Sequence, residues 1–200
     1  MNIKRLIVGP LQTNCYIVSD GKKEAFIIDP GDEAGKIKKT IKDEGLNVKF
    51  IINTHSHIDH IKADYGLGLP VYIHKLDALA LEDPESNLSS IFLGSFTPCK
   101  PKKILQDKDT IKAGDLGMEI MHTPGHSPGG ICIKIDSVVF TGDTLFKDGI
   151  GRTDLPGGSY KELLSSIKDK LLCLDDEVKI YPGHGEASTI GRERVNFEHA

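Results

Sequence analysis

The sequence predicts an α/β protein in which two strand-rich layers form a β-sandwich flanked by helices. Two observations carry that reading. Each half of the chain repeats short β-rich runs followed by an amphipathic helical stretch, and no low-complexity segment or linker separates the halves, so residues 1–200 read as one domain. The metal-capable side chains also gather in loops that follow predicted strands.

The elements follow from local pattern. Residues 14–19 and 24–28 are β-rich and joined through Asp20-Gly21, a short hairpin-type connection. Over residues 33–44, Ala34, Ile37 and Ile41 recur at helical spacing with lysines on the other face, and Gly45 ends the helix. Residues 48–52 form an apolar strand that stops at Asn53-Thr54, immediately before a histidine cluster. A short strand at 70–73 and a helix at 76–81 are expected before Pro84. Residues 84–102 are rich in Ser, Pro and Gly with Ile91, Phe92, Leu93 and Phe96 embedded, a surface loop or, as favoured here, a cover over a site. Strands at 118–121, 131–135 and 138–141, a helix at 160–172 and a strand at 178–181 complete the second half.

Composition narrows the function classes. In 200 residues, 25 basic and 29 acidic side chains leave a net charge of −4, without a basic block that would mark a nucleic-acid or membrane partner. A small-molecule partner is expected. Residues 1–10 contain Lys4 and Arg5 in an apolar run too short for a signal segment, and no run approaches ~18 apolar residues. A cytoplasmic protein is the expectation. Cys15, Cys99, Cys132 and Cys173 form no C-x-x-C pair and read as reduced, mostly buried thiols.

The chemistry concentrates in Thr54-His55-Ser56-His57-Ile58-Asp59-His60, which puts four metal-capable side chains into six positions. Residues two apart in an extended loop point the same way, so His55 and His57 can grip one ion while Asp59 and His60 face a second. Four such groups after a buried strand would be costly without a cation. His126, Asp143 and His184 each follow a strand in a tight Gly-containing turn and extend the set to seven. His74, His122 and His199 lack that context and read as ordinary histidines.

The run Thr-His-x-His-x-Asp-His, followed by Thr-Pro-Gly-His, Thr-Gly-Asp-Thr-Leu-Phe and Pro-Gly-His-Gly, resembles the metallo-β-lactamase superfamily. Gly149-Ile150-Gly151-Arg152-Thr153-Asp154 resembles its glyoxalase II-like branch of hydroxyacylglutathione hydrolases. The resemblance implies an αββα sandwich, two mixed β-sheets flanked by helices, with a dinuclear site at one edge between the sheets. One metal would be held by His55, His57 and His126 and the other by Asp59, His60 and His184, with Asp143 bridging. Zinc is the first expectation for the two divalent ions, with iron or manganese as alternatives, since His and carboxylate suit all three. Asp29 falls on a family position near the metal loop, either as support for a ligand or as a strand-ending turn residue. Arg152 matches the basic residue of the substrate loop, with an ion pair to Asp154 as the alternative. Only sixteen residues follow His184, so a short form without the C-terminal helical domain of the long enzymes is expected, and Asp154 stands where those enzymes carry an aromatic.

The activity implied is hydrolysis of a thioester such as S-lactoylglutathione. Two Lewis acids roughly 3.5–4 Å apart lower the pKa of a shared water towards ~7, and Asp59 is the residue expected to orient it. A thiolate leaving group, with a conjugate acid near ~8.5, needs little acid assistance. The alternatives on the same fold are a mononuclear-iron persulfide dioxygenase, which would use only a two-His, one-carboxylate set, and a lactonase. Ser56 stands where a flavin-partnered diiron reductase would carry an acidic residue, and the acidic balance opposes a nuclease. A non-catalytic binding module is the remaining reading.

Overall fold

The structure, a computed structural model, describes residues 1–91 and 95–198. Phe92, Leu93 and His199 of the readings above lie outside the described residues. One sheet has the spatial order β1 (Asn2–Val8), β2 (Thr13–Ser19), β3 (Glu24–Ile28), β4 (Asn47–Ile52), β5 (Val71–His74), β6 (Lys103–Leu105). Its first three strands are antiparallel and the rest parallel. The other sheet contains β7 (Thr110–Ala113), β8 (Leu116–His122), β9 (Ile131–Ile135) and β10 (Val138–Gly142), then β13 (Lys179–Pro182) and β14 (Ser188–Thr189) beyond β10. Only β10 and β13 pair in parallel there. A small hairpin, β11 (Leu145–Phe146) with β12 (Gly149–Ile150), leaves the end of β10.

Period-two alternation explains the layering. In β2 and β3, Tyr16, Val18, Phe26 and Ile28 face the opposite sheet and meet Met118, Ile120, Ile133 and Phe140. The intervening Cys15, Ile17, Ala25 and Ile27 are buried too, under Ile37 of α1 (Ala34–Glu44) and Ile58 and Ile61 of α2 (Ile58–Ile61). A strand apolar on both faces requires cover on both. On the other side, Cys132, Val139 and Ile180 lie beneath Leu163 of α4 (Tyr160–Ser166) and Ile190 of α5 (Ile190–Glu198). The result is the expected αββα order, with the short α3 (Asp64–Leu67) beside α1. No helix among the described residues is long and apolar enough to cross a membrane.

Several local readings change. Residues 76–81 are turns rather than a helix, and only Ala80–Glu82 completes a 3-10 turn. Leu76 and Leu79 are exposed, while Asp77 between them is buried and bonded elsewhere, as described below. The second-half helix is α-helical to Ser166 and continues as a π-helical turn over Ile167–Leu171, which keeps Ile167 and Leu171 in the core with Leu163. The apolar run with Lys4 and Arg5 is β1, paired along its whole length with β2. The tail folds as α5, whose Arg194 donates to the carbonyls of Leu172 and Leu174. All four cysteines are free: Cys15 and Cys132 are buried, Cys99 is half-buried and Cys173 is exposed.

Candidate metal centre

Four strand ends meet at one edge of the sandwich. The loop after β4 carries His55, His57, Asp59 and His60, the loop after β8 carries His126, Asp143 directly follows β10, and the loop after β13 carries His184. Backbone hydrogen bonds fasten the sheets together here: Ile131 N–H donates to Thr54 O (2.9 Å) and Asn14 N–H to Gly183 O (2.7 Å), while Gly183 N–H donates to Gly142 O (2.8 Å) within the second sheet. The structure thus brings all seven sequence-predicted residues to one place.

They form two groups with Asp143 between. His126 Nε2 lies 3.2 Å from His55 Nε2 and 2.9 Å from His57 Nδ1. His184 Nε2 lies 3.3 Å from His60 Nε2 and 3.2 Å from Asp59 Oδ2. Asp143 turns Oδ1 towards His60 (3.5 Å) and Oδ2 towards His126 and His184 (both 3.6 Å). Within each of the sets His55/His57/His126, His55/His60/Asp143 and Asp59/His60/His184 the ligand atoms lie within 4.8 Å of one another.

The outward ring nitrogens decide what the inward ones can do. Asp29 accepts from Thr54 N–H (2.7 Å), from Thr54 Oγ1–H (2.6 Å) and from His60 Nδ1 (3.0 Å). Because the Thr54 hydroxyl is spent on Asp29, its lone pair is what faces His55 Nδ1, 3.2 Å away. His126 Nδ1 donates to Arg152 O (2.8 Å) and His184 Nδ1 to Leu11 O (3.1 Å). Each of these four imidazoles thereby carries a proton on Nδ1, which leaves Nε2 as the nitrogen that faces inward and can offer its lone pair to a metal. Lone pairs about 3 Å apart repel unless a cation sits among them. Asp143 Oδ1 is buried without a hydrogen-bond partner, which is a second sign that the donor set fits metal. Asp29 supports ligands through its side chain, while its backbone, at φ +50° and accepting from Gly31 N–H (2.8 Å), makes the strand-ending turn.

Electrostatics separates the two groups. Burial, reinforced by neighbouring imidazoles, pushes His55 well down and holds His57 at about 3. At His60 burial also opposes the charge, but the carboxylates of Asp59, Asp143 and Asp29 outweigh it and raise the ring to about 10. Burial opposes charge at His184 too, and Asp59 and Asp143 carry it upwards. Without metal, a proton on His60 stands in for the second cation.

Residues that the motifs did not single out hold this arrangement. The carboxylate of Asp77 is 1% exposed. It accepts from Ser56 N–H (3.1 Å), Ser127 Oγ–H (2.8 Å) and Gly129 N–H (2.6 Å), tying the His55/His57 loop to the His126 loop. Thr13 donates to Asp59 Oδ2 (3.0 Å), and Asn14 Nδ2 donates to the carbonyls of Pro182 and Gly185 (both 2.9 Å), clamping the His184 loop. No spacing signal marks Asp77, Thr13 or Asn14, because each acts through contacts remote in sequence. Gly183 is required by close approach: a Cβ there would lie 2.2 Å from Asp143 Oδ1 and 2.7 Å from His60 Cε1. Arg152 is exposed and pairs in bidentate fashion with Asp154 (2.8 and 2.7 Å). Its main chain is what touches a candidate ligand. His74 and His122 stack on each other away from the cluster, with ring centroids 4.0 Å apart.

The cluster floors a cleft of ≈ 510 Å³ whose other lining residues include Leu88 and Ile91, so the part of the 84–102 segment around those two residues lines the site, while Phe96 packs against the core. The Haemophilus influenzae protein named hydroxyacylglutathione hydrolase GloC is 38% identical to this chain over 202 residues, covering 97% of this chain and 95% of that protein. The crystal structure of the BLEG-1 B3 metallo-beta-lactamase is similar with a TM-score of 0.91 and 39% identity, over 97% of each chain. The di-iron-bound form of TTHA1623 gives a TM-score of 0.86 at 36% identity, over 96% of each. The family model described as the metallo-beta-lactamase superfamily matches residues 8–184, and the chain belongs to that superfamily.

Proposed function

We propose that the chain is a dinuclear metal hydrolase that cleaves a thioester such as S-lactoylglutathione. The observation that carries this reading is Asp143, whose Oδ2 lies 3.6 Å both from His126 of one group and from His184 of the other, while Oδ1 lies 3.5 Å from His60. His55, His57 and His126 would hold one ion and Asp59, His60 and His184 the other. When bound, such a pair supplies a water acidified towards neutral pH and an electrophile for the carbonyl. Zinc is the first expectation; iron has a precedent in the di-iron form of TTHA1623.

The chain's own groups do the positioning. Asp59, held by Thr13, keeps a carboxylate oxygen fixed where the attacking water must be oriented. The fixed tautomers of His55, His60, His126 and His184 keep the donor geometry preorganised, so little reorganisation is needed at the moment of reaction. Among the described lining residues, none outside the donor set is an acid, which suits a thiolate leaving group with a conjugate acid near ~8.5. A small-molecule partner and a cytoplasmic location belong to the same proposal, and four free thiols fit a reducing compartment.

The test is hydrolysis of S-lactoylglutathione by the purified protein before and after chelation. Turnover that disappears with metal and returns with a divalent ion is expected. Oxygen consumption with glutathione persulfide, and no turnover of any thioester, would replace the hydrolase with the dioxygenase.

A further inference from the structure

Above the candidate ligands the cleft is walled by Leu11, Leu88, Ile91, Phe146, Ile150 and Leu155, and the one cation among its described lining residues is Arg152. That cation is already committed. Both Nε and Nη2 of Arg152 are bonded to the Asp154 carboxylate, so an anionic substrate must compete with that carboxylate for the guanidinium. A glutathione tail carries two carboxylates and an ammonium, none of which finds an unpaired opposite charge on these walls.

The wall is also built rather than incidental. Leu88 sits at φ +66°, a left-handed conformation that non-glycine residues rarely adopt. Its neighbour Asn87 imposes it: fully buried, Asn87 donates through Nδ2 to Ala80 O (2.8 Å) and accepts at Oδ1 from Ser89 N–H (2.9 Å). The main-chain oxygen of Asn87 accepts from Ile58 N–H (2.8 Å), at the start of the helix that carries Asp59 and His60. An apolar side chain is thus pinned in a strained backbone beside the donors, where Phe146 faces His184 with ring centroids 6.2 Å apart.

We infer that the preferred substrate is a thioester whose acyl and thiol substituents are apolar and uncharged, with glutathione thioesters turned over more weakly. The inference rests on the hydrolase reading and names the substrate class of that site. Apolar substituents gain from burial against six hydrocarbon walls, about fourfold for each methylene, whereas charged ones must be desolvated without a partner.

The experiment compares N-acetylcysteamine and glutathione thioesters carrying acetyl, butanoyl, hexanoyl and octanoyl groups. Expected is a kcat/KM that rises about fourfold per methylene over the first additions, with N-acetylcysteamine esters at least equal to their glutathione counterparts. Phe146→Ala and Leu88→Ala should flatten the chain-length slope. A flat profile, or a tenfold preference for glutathione at equal acyl length, overturns the inference while leaving the hydrolase intact. No turnover of any thioester overturns both. Calorimetry on the metal-free protein supplies a readout independent of turnover: S-octyl-N-acetylcysteamine should bind at least tenfold tighter than S-methylglutathione, and equal or reversed affinities contradict the proposal.

Discussion

The main-chain oxygen of Arg152 accepts the Nδ1–H of His126 at 2.8 Å, so the Gly-Arg-Thr-Asp loop reaches the candidate metal centre through its backbone while the guanidinium turns to Asp154. The preceding residue shows how close that approach is. A Cβ on Gly151 would lie 1.8 Å from Asp143 O and 3.2 Å from His126 Nδ1. Gly151→Ala is therefore expected to destabilise the fold by about 1–3 kcal/mol, in the range of overpacked sites, and to lower metal content. Arg152→Ala should keep its full metal content. Elemental analysis and thermal unfolding of both variants decide it, and equal metal loss in the two would sink the backbone account.

Asp77 provides a second separation. Asp77→Asn presents an amide where three donors converge, leaving at least one of Ser56 N–H, Ser127 Oγ–H and Gly129 N–H unpaired at about 1–3 kcal/mol. Both loops that it ties carry donors of the His55/His57/His126 group. The variant should weaken the ion held there by about 10–100-fold, with a smaller effect on the Asp59/His60/His184 group. Calorimetric metal titration that shows both ions weakened equally would make Asp77 a general stabiliser only.

Acid should remove the ions one at a time. His57 is held at about 3 by burial and needs no deprotonation to bind metal near pH 5, whereas His60, at about 10, must give up a proton. The Asp59/His60/His184 ion is expected to leave first as pH falls below about 6. Metal retention measured after equilibration at each pH checks this, and simultaneous loss of both ions argues against two electrostatically distinct groups.

The metal-free protein should lose stability as pH rises. In the unfolded chain histidine titrates near ~6.5, while folded His60 titrates at about 10 against Asp59, Asp143 and Asp29. Between those values the folded state binds more protons, so the stabilisation is complete below ~6.5 and is lost as pH climbs through about 10. His184, raised by Asp59 and Asp143 against the effect of its burial, acts in the same direction. Bound metal takes the place of these protons and should remove the part of the alkaline decline that His60 and His184 contribute, leaving the part due to the buried thiols of Cys15 and Cys132, which burial pushes up. Thermal unfolding from pH 6 to pH 10, with and without metal, measures both limbs; a metal-free Tm that rises across that range contradicts the assignment.

Much of this was legible in the sequence because the decisive signals are local. The Thr54 to His60 run and the three later turns display their ligands within a few residues of a strand end, and the strands of β2, β3, β9 and β10 are apolar enough to announce themselves. The segment at 76–81 reads as helical up to Pro84, yet the tertiary contacts of Asp77 with Ser56, Ser127 and Gly129 fix a turn there. β1 was hidden by its edge position, where Lys4 and Arg5 interrupt the apolar pattern, and α5 by its weak amphipathicity. Asp77, Thr13 and Asn14 carry no motif, since their partners lie between 21 and 171 residues away in the chain.

The measurement that bears most directly on the central claim is the metal count of the saturated protein, taken for wild type and for Asp143→Ala. Two groups of inward donors sharing one carboxylate predict two ions per chain in wild type and loss from both positions in Asp143→Ala, whereas His184→Ala should weaken mainly one. A firm count of one ion in fully loaded wild type, unchanged by Asp143→Ala, would contradict the dinuclear account.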